Sequence, residues 1–489
     1  MSFNESIASL NKSIDSLQVQ QDILIGSTDT LLLMLSGVFI LSLQAGFALL
    51  EVGCIKVTNV NEILLNNIVD FCIGTVAYIL FGFGLSFGKS GGQFGGGSYV
   101  ALVGADNIGW VFFQYTFAAT ATAIVSSVMV GRTSYRAYLI YSFITTGIVY
   151  PIAVHWAWSG DGWMSNGPGG VSYQDFAGSS VVHSLGGACG VCASIVLGKR
   201  KLEDEIVDTG SIPPSSPALV TLGYFILING FFCFNSASQG AVSGADDVAV
   251  ITKVLINTGL ANSCGTLITL LVQEVILGVE PGYWLLLAVA NGGLSGCVSI
   301  CAGCNVVSFG GACIIGAIGG LISMLWAKMF HLTGFEDPCD STAVHLSCGI
   351  WGTLACPLFD AEQGFFYTGS SKSMKQFGWN MLCCMCFILW GVCTMFPVYK
   401  TLDMIGILRA DHEKVEHELA LHEHDDPQQQ HELENMESSF AALPGSSQHS
   451  AKTKDSPPKY KVASVAAAPS DFSDHLSDST RQANITTEM

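Results

Sequence analysis

Apolar stretches long enough to cross a bilayer recur from Leu31 to Tyr399, separated by short polar breaks. A helix needs roughly 20 apolar residues to traverse a hydrocarbon core of ~30 Å. By that measure there are about eleven spans, near residues 29–50, 63–88, 108–130, 137–158, 176–198, 218–238, 248–272, 283–303, 310–330, 342–359 and 378–400. With 50% hydrophobic and only 12% charged residues, a 489-residue chain has too few charges to cover a soluble surface. In lipid every backbone N–H and C=O must be satisfied within the protein, and these runs lack the alternation a barrel strand would need. The expected fold is all-α and integral to the membrane, with the lipid bilayer as its surroundings.

Lys and Arg residues set the expected orientation. Arg132, Arg136 and the Lys199-Arg200-Lys201 cluster fall in loops on one side, joined by Lys56, Lys328 and Lys400. The other side holds the scattered Lys89, Lys253, Lys372 and Lys375. An odd number of spans then leaves the N-terminus outside and the C-terminus in the cytoplasm of a multi-pass plasma-membrane protein. Residues 1–27 read as a polar extracellular segment with no signal-peptide core, carrying the sequons Asn4-Glu5-Ser6 and Asn11-Lys12-Ser13. Residues 28–400 form the transmembrane domain. Residues 401–426 read as a charged helical cytoplasmic segment, and 427–489 as an acidic, Ser-rich tail that buries too little apolar area to offset chain entropy. That tail carries a good share of the formal charge of -19, so the charge says little about what crosses the membrane.

Several chemistries find no residues to carry them. The Gly-rich connection from Gly88 to Gly104 follows no strand and does not read as a phosphate loop. The 17 cysteines are scattered through apolar runs, and the pairs Cys189/Cys192 and Cys301/Cys304 lack the second pair or histidine set that a metal site requires. No nucleophile, base and orienting residue converge by motif. The expectation is a chain that is not an enzyme, takes no cofactor or metal, and has no nucleic-acid partner.

A faint internal repeat carries more information. Asp175-Phe-Ala-Gly-Ser-Ser-Val-Val-His183, followed by Gly187, is echoed by Asp340-Ser-Thr-Ala-Val-His345, followed by Gly349. The two copies open the fifth and tenth spans, which predicts a five-plus-five inverted repeat with both copies near a pseudo-two-fold axis at the membrane midplane. An imidazole inside a span is costly and is functional by default. Two neutral imidazoles can hydrogen-bond each other and still present a polar edge to a small neutral guest. Asp175 reads as a helix N-cap that also favours a cation near the entrance, and Asp337 and Asp340 as caps of the tenth span.

The longer motifs are Gln44-Ala-Gly-Phe-Ala-Leu-Leu-Glu51, Asp175 to His183, Phe234-Asn-Ser-Ala-Ser238, and Asp337-Pro-Cys-Asp-Ser-Thr-Ala-Val-His345 with Cys348-Gly-Ile-Trp-Gly352. In this order and spacing the chain resembles the ammonium transporter, methylammonium permease and Rhesus family, on the ammonium transporter side, over about residues 28–424. The resemblance implies a homotrimer with one pore per subunit, moving ammonium or ammonia and methylammonium. It implies an outer recruitment site of Phe117, Trp158 and Ser238, a gate of Phe117 and Phe234, and a lumen lined by His183 and His345, supported by Asp175 and Asp340. Taken alone, Trp158 reads as an interfacial anchor, and Phe117 and Phe234 as two of 28 phenylalanines. Two departures stand out: Phe231 replaces a frequent Trp, and Glu418-Leu419-Ala420 with Glu423-His424-Asp425 lacks the glycine and acidic partner of the family's tail. An ammonium sensor signalling through the tail and an electroneutral Rhesus-type ammonia channel are the competing readings.

Overall fold

In the computed structural model, the described residues are 3–55, 60–89, 95, 98–198 and 216–410. The Lys199-Arg200-Lys201 cluster, residues 90–94, 96 and 97 of the Gly-rich connection, and the tail from residue 411 lie outside them. Residues Met1–Gln430 form one compact unit, and a second unit, His431–Met489, falls wholly outside the described residues.

Among the described residues eleven apolar helical elements follow one another: α1 Phe3–Cys54, α2 Val60–Phe87, α3 Ile108–Met129, α4 Tyr135–Ser165, α5 Ser179–Leu197, α6 Pro217–Gln239, α7 Asp247–Ile276, α8 Tyr283–Ile300, α9 Phe309–Thr333, α10 Ala343–Phe359 and α11 Ser371–Met404. Ten are long and apolar enough to cross a membrane, and α10 is shorter. Polar side chains set several starts: Asn107, Ser134, Ser216, Ser308 and Ser370 each accept a backbone N–H of the first turn. In their most apolar stretches 83% and 89% of the residues of α3 and α5 are buried, against 33% and 28% in α6 and α11. Arg132, one of the orientation-setting cations, is fully buried; its guanidinium donates to the carbonyls of Leu197 and Gly198 at 3.0 and 2.7 Å and lies 3.7 Å from Glu336.

The N-terminal segment is a helix continuous with the first span. α1 has 52 residues, about 78 Å at the helical rise and more than twice a hydrocarbon core. Every described side chain from Phe3 to Ser27 is exposed.

The internal repeat is visible as matched contacts. α5 and α10 both open on a π-helical turn that carries the histidine, over Ser179–Ser184 and Ala343–Ser347. Gly187, four residues after His183, lies against Leu346, and Gly349, four residues after His345, lies against Ser184. A methyl group on Gly187 would come 2.7 Å from Leu346 Cβ, and one on Gly349 would come 2.3 Å from the Ser179 carbonyl oxygen. Glycine at both positions is what lets α5 and α10 approach closely enough for their histidines to meet.

The capping carboxylates correct one detail of the repeat. Asp175 Oδ1 accepts from Ser179 N and Oδ2 from Ser180 N; Asp337 Oδ1 accepts from Ser341 N and Oδ2 from Thr342 N. Asp337, eight residues before its histidine as Asp175 is, is therefore the counterpart of Asp175. Asp340 does not cap α10. Its φ of 53° lies in the left-handed region, and its carboxylate turns to His331 Nε2 at 3.0 Å.

Candidate functional site

The predicted aromatic and imidazole residues, joined by Phe47, form one chain of ring contacts among the described helices. Trp158, Phe117, Phe234, His183, His345 and Phe47 follow in that order, with successive ring centroids 6.0, 4.0, 5.5, 5.1 and 5.8 Å apart. The sequence places them far apart; α1, α3, α4, α5, α6 and α10 bring them together. Phe117 and Phe234 lie face to face at 23°, a stack with no aperture between the rings. Both are fully buried, whereas Trp158 and Ser238 beside them are half-buried. The half-buried pair thus lies at the more accessible end of the row of rings, next to the fully buried Phe stack.

Trp158 and Ser238 are each held by one hydrogen bond to a backbone carbonyl. Trp158 Nε1 donates to the Asp175 carbonyl at 2.9 Å and its ring stands edge-on to Phe117 at 86°. Ser238 Oγ donates to the Phe234 carbonyl at 2.9 Å, so its hydrogen is committed and its oxygen remains an acceptor. Asp175 accepts from the backbone N–H of Gly178, Ser179, Ser180 and Val181 and from the Tyr173 hydroxyl. Burial pushes its carboxyl above the usual carboxylate range, opposed by these donors. Burial first and Asp340 second push Asp337 up to about 7.

Below the Phe stack, His183 and His345 are buried, nearly parallel at 16°, and joined through their Nδ1 atoms at 3.1 Å. One Nδ1 must donate and the other accept. The thiol of Cys301 bears on which. Its sulfur lies 3.7 Å from His183 Nε2 and 3.1 Å from both Asn235 Oδ1 and the Cys297 carbonyl. The Asn235 amide is turned by its donation to Thr258 Oγ1 at 3.0 Å, and Thr258 in turn donates to the Val254 carbonyl. With the thiol hydrogen on one of these oxygens, the sulfur accepts from His183 Nε2–H, His183 Nδ1 accepts from His345 Nδ1 and His345 Nε2 carries a lone pair; with it on His183 Nε2, the roles reverse.

This chain is similar to proteins of known family. The family described as the Ammonium Transporter Family matches residues 31–429. The chain belongs to that family. It is 35% identical over 393 residues to a Caenorhabditis elegans protein provisionally named ammonium transporter 1, covering 76% of this chain and 73% of that one. Ammonium transporter 1 member 3 of Solanum lycopersicum is 31% identical over 78% of this chain and 89% of its own. Among solved structures, one titled Sensor Amt Protein superposes with a TM-score of 0.72 at 27% identity, covering 81% of this chain and 97% of that chain. Candida albicans Mep2 shares the fold at a TM-score of 0.70 and 22% identity, covering 82% and 92%.

Within this ammonium transporter family member, three neighbours of the histidines were not legible as such. Phe231 stacks on His183 at 5.6 Å and 26°; its position one helical turn before Phe234 was the available signal. Cys301 belongs to a Cys-x-x-Cys pair whose spacing speaks of metal, and only the break after α8 shows its sulfur facing an imidazole. Phe47, in the motif from Gln44 to Glu51, closes the column beyond His345.

Proposed function

We propose that each subunit transports ammonium by recruiting the cation at Trp158, Phe117 and Ser238, releasing its proton at the Phe117–Phe234 gate, and passing ammonia along His183 and His345. The single observation that supports this route is the unbroken column of six rings with its polar step at the twin histidines. Aromatic faces attract a cation of this size by about 0.5–2 kcal/mol, and Ser238 Oγ is available to an ammonium N–H that a spherical metal ion cannot offer. Below the gate the lining is aromatic rings and imidazole edges. A bare ion pays a large desolvation penalty there, whereas ammonia does not and can hydrogen-bond to His345 Nε2. Potassium matches ammonium in size and charge, so hydrogen bonds and deprotonation at the gate supply the discrimination.

In the same reading methylammonium is a second substrate, the assembly is a homotrimer in the plasma membrane, and the C-terminus is cytoplasmic. The sensor alternative rests on the tail beyond residue 410, outside the described residues, and family membership does not favour it over transport.

The test is labelled methylammonium uptake with simultaneous membrane current, in cells lacking their own ammonium transport. Saturable uptake is expected. Inward current with it means that the proton's charge crosses too, and uptake without current means that the proton returns outside. Absence of uptake despite surface expression would overturn the proposal. At the mouth, Phe117→Ala and Trp158→Leu are expected to raise the methylammonium KM or lower turnover about 3- to 30-fold, the loss of roughly 0.7–2 kcal/mol of cation attraction. Unchanged kinetics in both would remove them from the recruitment site.

A further inference from the structure

The N-terminal part of α1 carries a seam that no other described residue covers. Phe3, Ile7, Leu10, Ile14, Leu17, Leu24 and Leu31 are spaced alternately four and three residues apart, with Gln21 and Thr28 completing the register, and all seven apolar members are exposed. Exposure runs from 43% at Ile7 to 80% at Phe3, so no part of the stripe is packed against the described residues. From Phe3 to Leu17 the apolar repeat of 3.5 residues keeps to the a and d positions, the pattern of a coiled coil, and beyond it Val19, Ile23 and Ile25 are exposed off the seam.

The helix has little else to hold it. Ser, Asn and Asp recur within it, and Ser13, Ser16 and Ser27 bond back to carbonyls of their own helix, a pattern of weak helix formers. An isolated segment of this composition is marginal in water without a partner on its apolar stripe.

Three observations select the partner. Residues 3–17 have apolar side chains other than alanine only at the seam, too narrow a stripe for a helix lying in a membrane surface, and Lys12 is the one cation between residues 3 and 31 where a lipid-facing helix would be rich in them. The flanking e and g positions, Asn4, Ser6, Asn11, Ser13, Gln18 and Gln20, are uncharged, so identical chains meet without repulsion and no charge pattern selects a different one. The seam continues into the membrane through the exposed Leu35 and Val38, and because α1 is one unbroken helix, every copy in a membrane presents it in the same direction. We infer that residues 3–31 form a parallel coiled coil with the same helices of neighbouring copies of this chain, clamping the oligomer outside the lipid. The inference rests on an oligomeric membrane domain but not on the transport route.

Leu17 lies on the seam and Ser16 beside it points away. In membranes holding the full chain, Leu17→Cys is expected to form intermolecular disulfides under mild oxidant well above the level of the unsubstituted chain, and Ser16→Cys is not. Leu10→Asp/Leu17→Asp should lower the temperature at which the detergent-solubilised oligomer dissociates by roughly 5 °C or more, while methylammonium uptake per surface molecule stays within about twofold. Equal cross-linking at both positions, or an unchanged dissociation temperature, would overturn the coiled coil. So would quenching of a fluorophore at Leu17→Cys by lipid-borne quencher, which would place the helix on the membrane, or cross-linking chiefly to an unrelated protein. Uptake lost from the unsubstituted chain would sink the transport route and leave the seam standing.

Discussion

His183→Ala/His345→Ala is expected to cut methylammonium uptake at least tenfold, measured per molecule at the cell surface. In the proposed route the two rings supply the polar step among Phe47, Phe231 and Phe234. Losing one hydrogen bond of about 1.4 kcal/mol to the passing molecule is a factor of ten, and polar molecules in fully apolar surroundings lose more than that. The double variant is the cleaner test. A single His183→Ala strands His345 Nδ1 in a buried site and mixes a stability defect of about 1–3 kcal/mol with any change in flux. Uptake within twofold of the parent, at equal surface expression, would remove the pair from the route.

The largest effect on stability belongs to Asp175→Ala. Its carboxylate takes four consecutive backbone N–H groups and the Tyr173 hydroxyl, all buried at the start of α5. Each donor left without a partner costs about 1–3 kcal/mol, so the sum rivals the 5–15 kcal/mol that separates a folded domain from its unfolded chain. The protein should fail to reach the surface or melt many degrees lower. Asp175→Asn keeps one carbonyl oxygen and should fall between. The opposite outcome, Asp175→Ala with an unchanged melting temperature and no uptake, would make Asp175 a participant in transport rather than a cap.

Asp337 shows why part of the site was not legible. The repeat was aligned on the aspartate nearest the Val-His pair, Asp340, because a sequence displays proximity along the chain. The true counterpart is fixed by where the two carboxylates receive N–H groups, and that register of eight residues appears only once both helix starts are built. The N-terminal segment teaches a related lesson. By composition residues 1–27 read as polar, yet from Phe3 to Leu17 their large apolar residues are spaced for a single stripe, and only a continuous α1 turns that spacing into a surface.

By itself the sequence determined the class of fold, the positions of the apolar helices, the two histidines and the family, because each depends on local runs, on periodicity or on motifs read along the chain. Tertiary structure alone decided that Phe117 and Phe234 stack at 4.0 Å, that the histidines meet through Nδ1, and that the Cys301 sulfur lies against His183 Nε2. Those facts depend on how closely helices distant in sequence approach. Here Gly187 and Gly349 set that distance by leaving room for a backbone where any side chain would keep α5 and α10 apart.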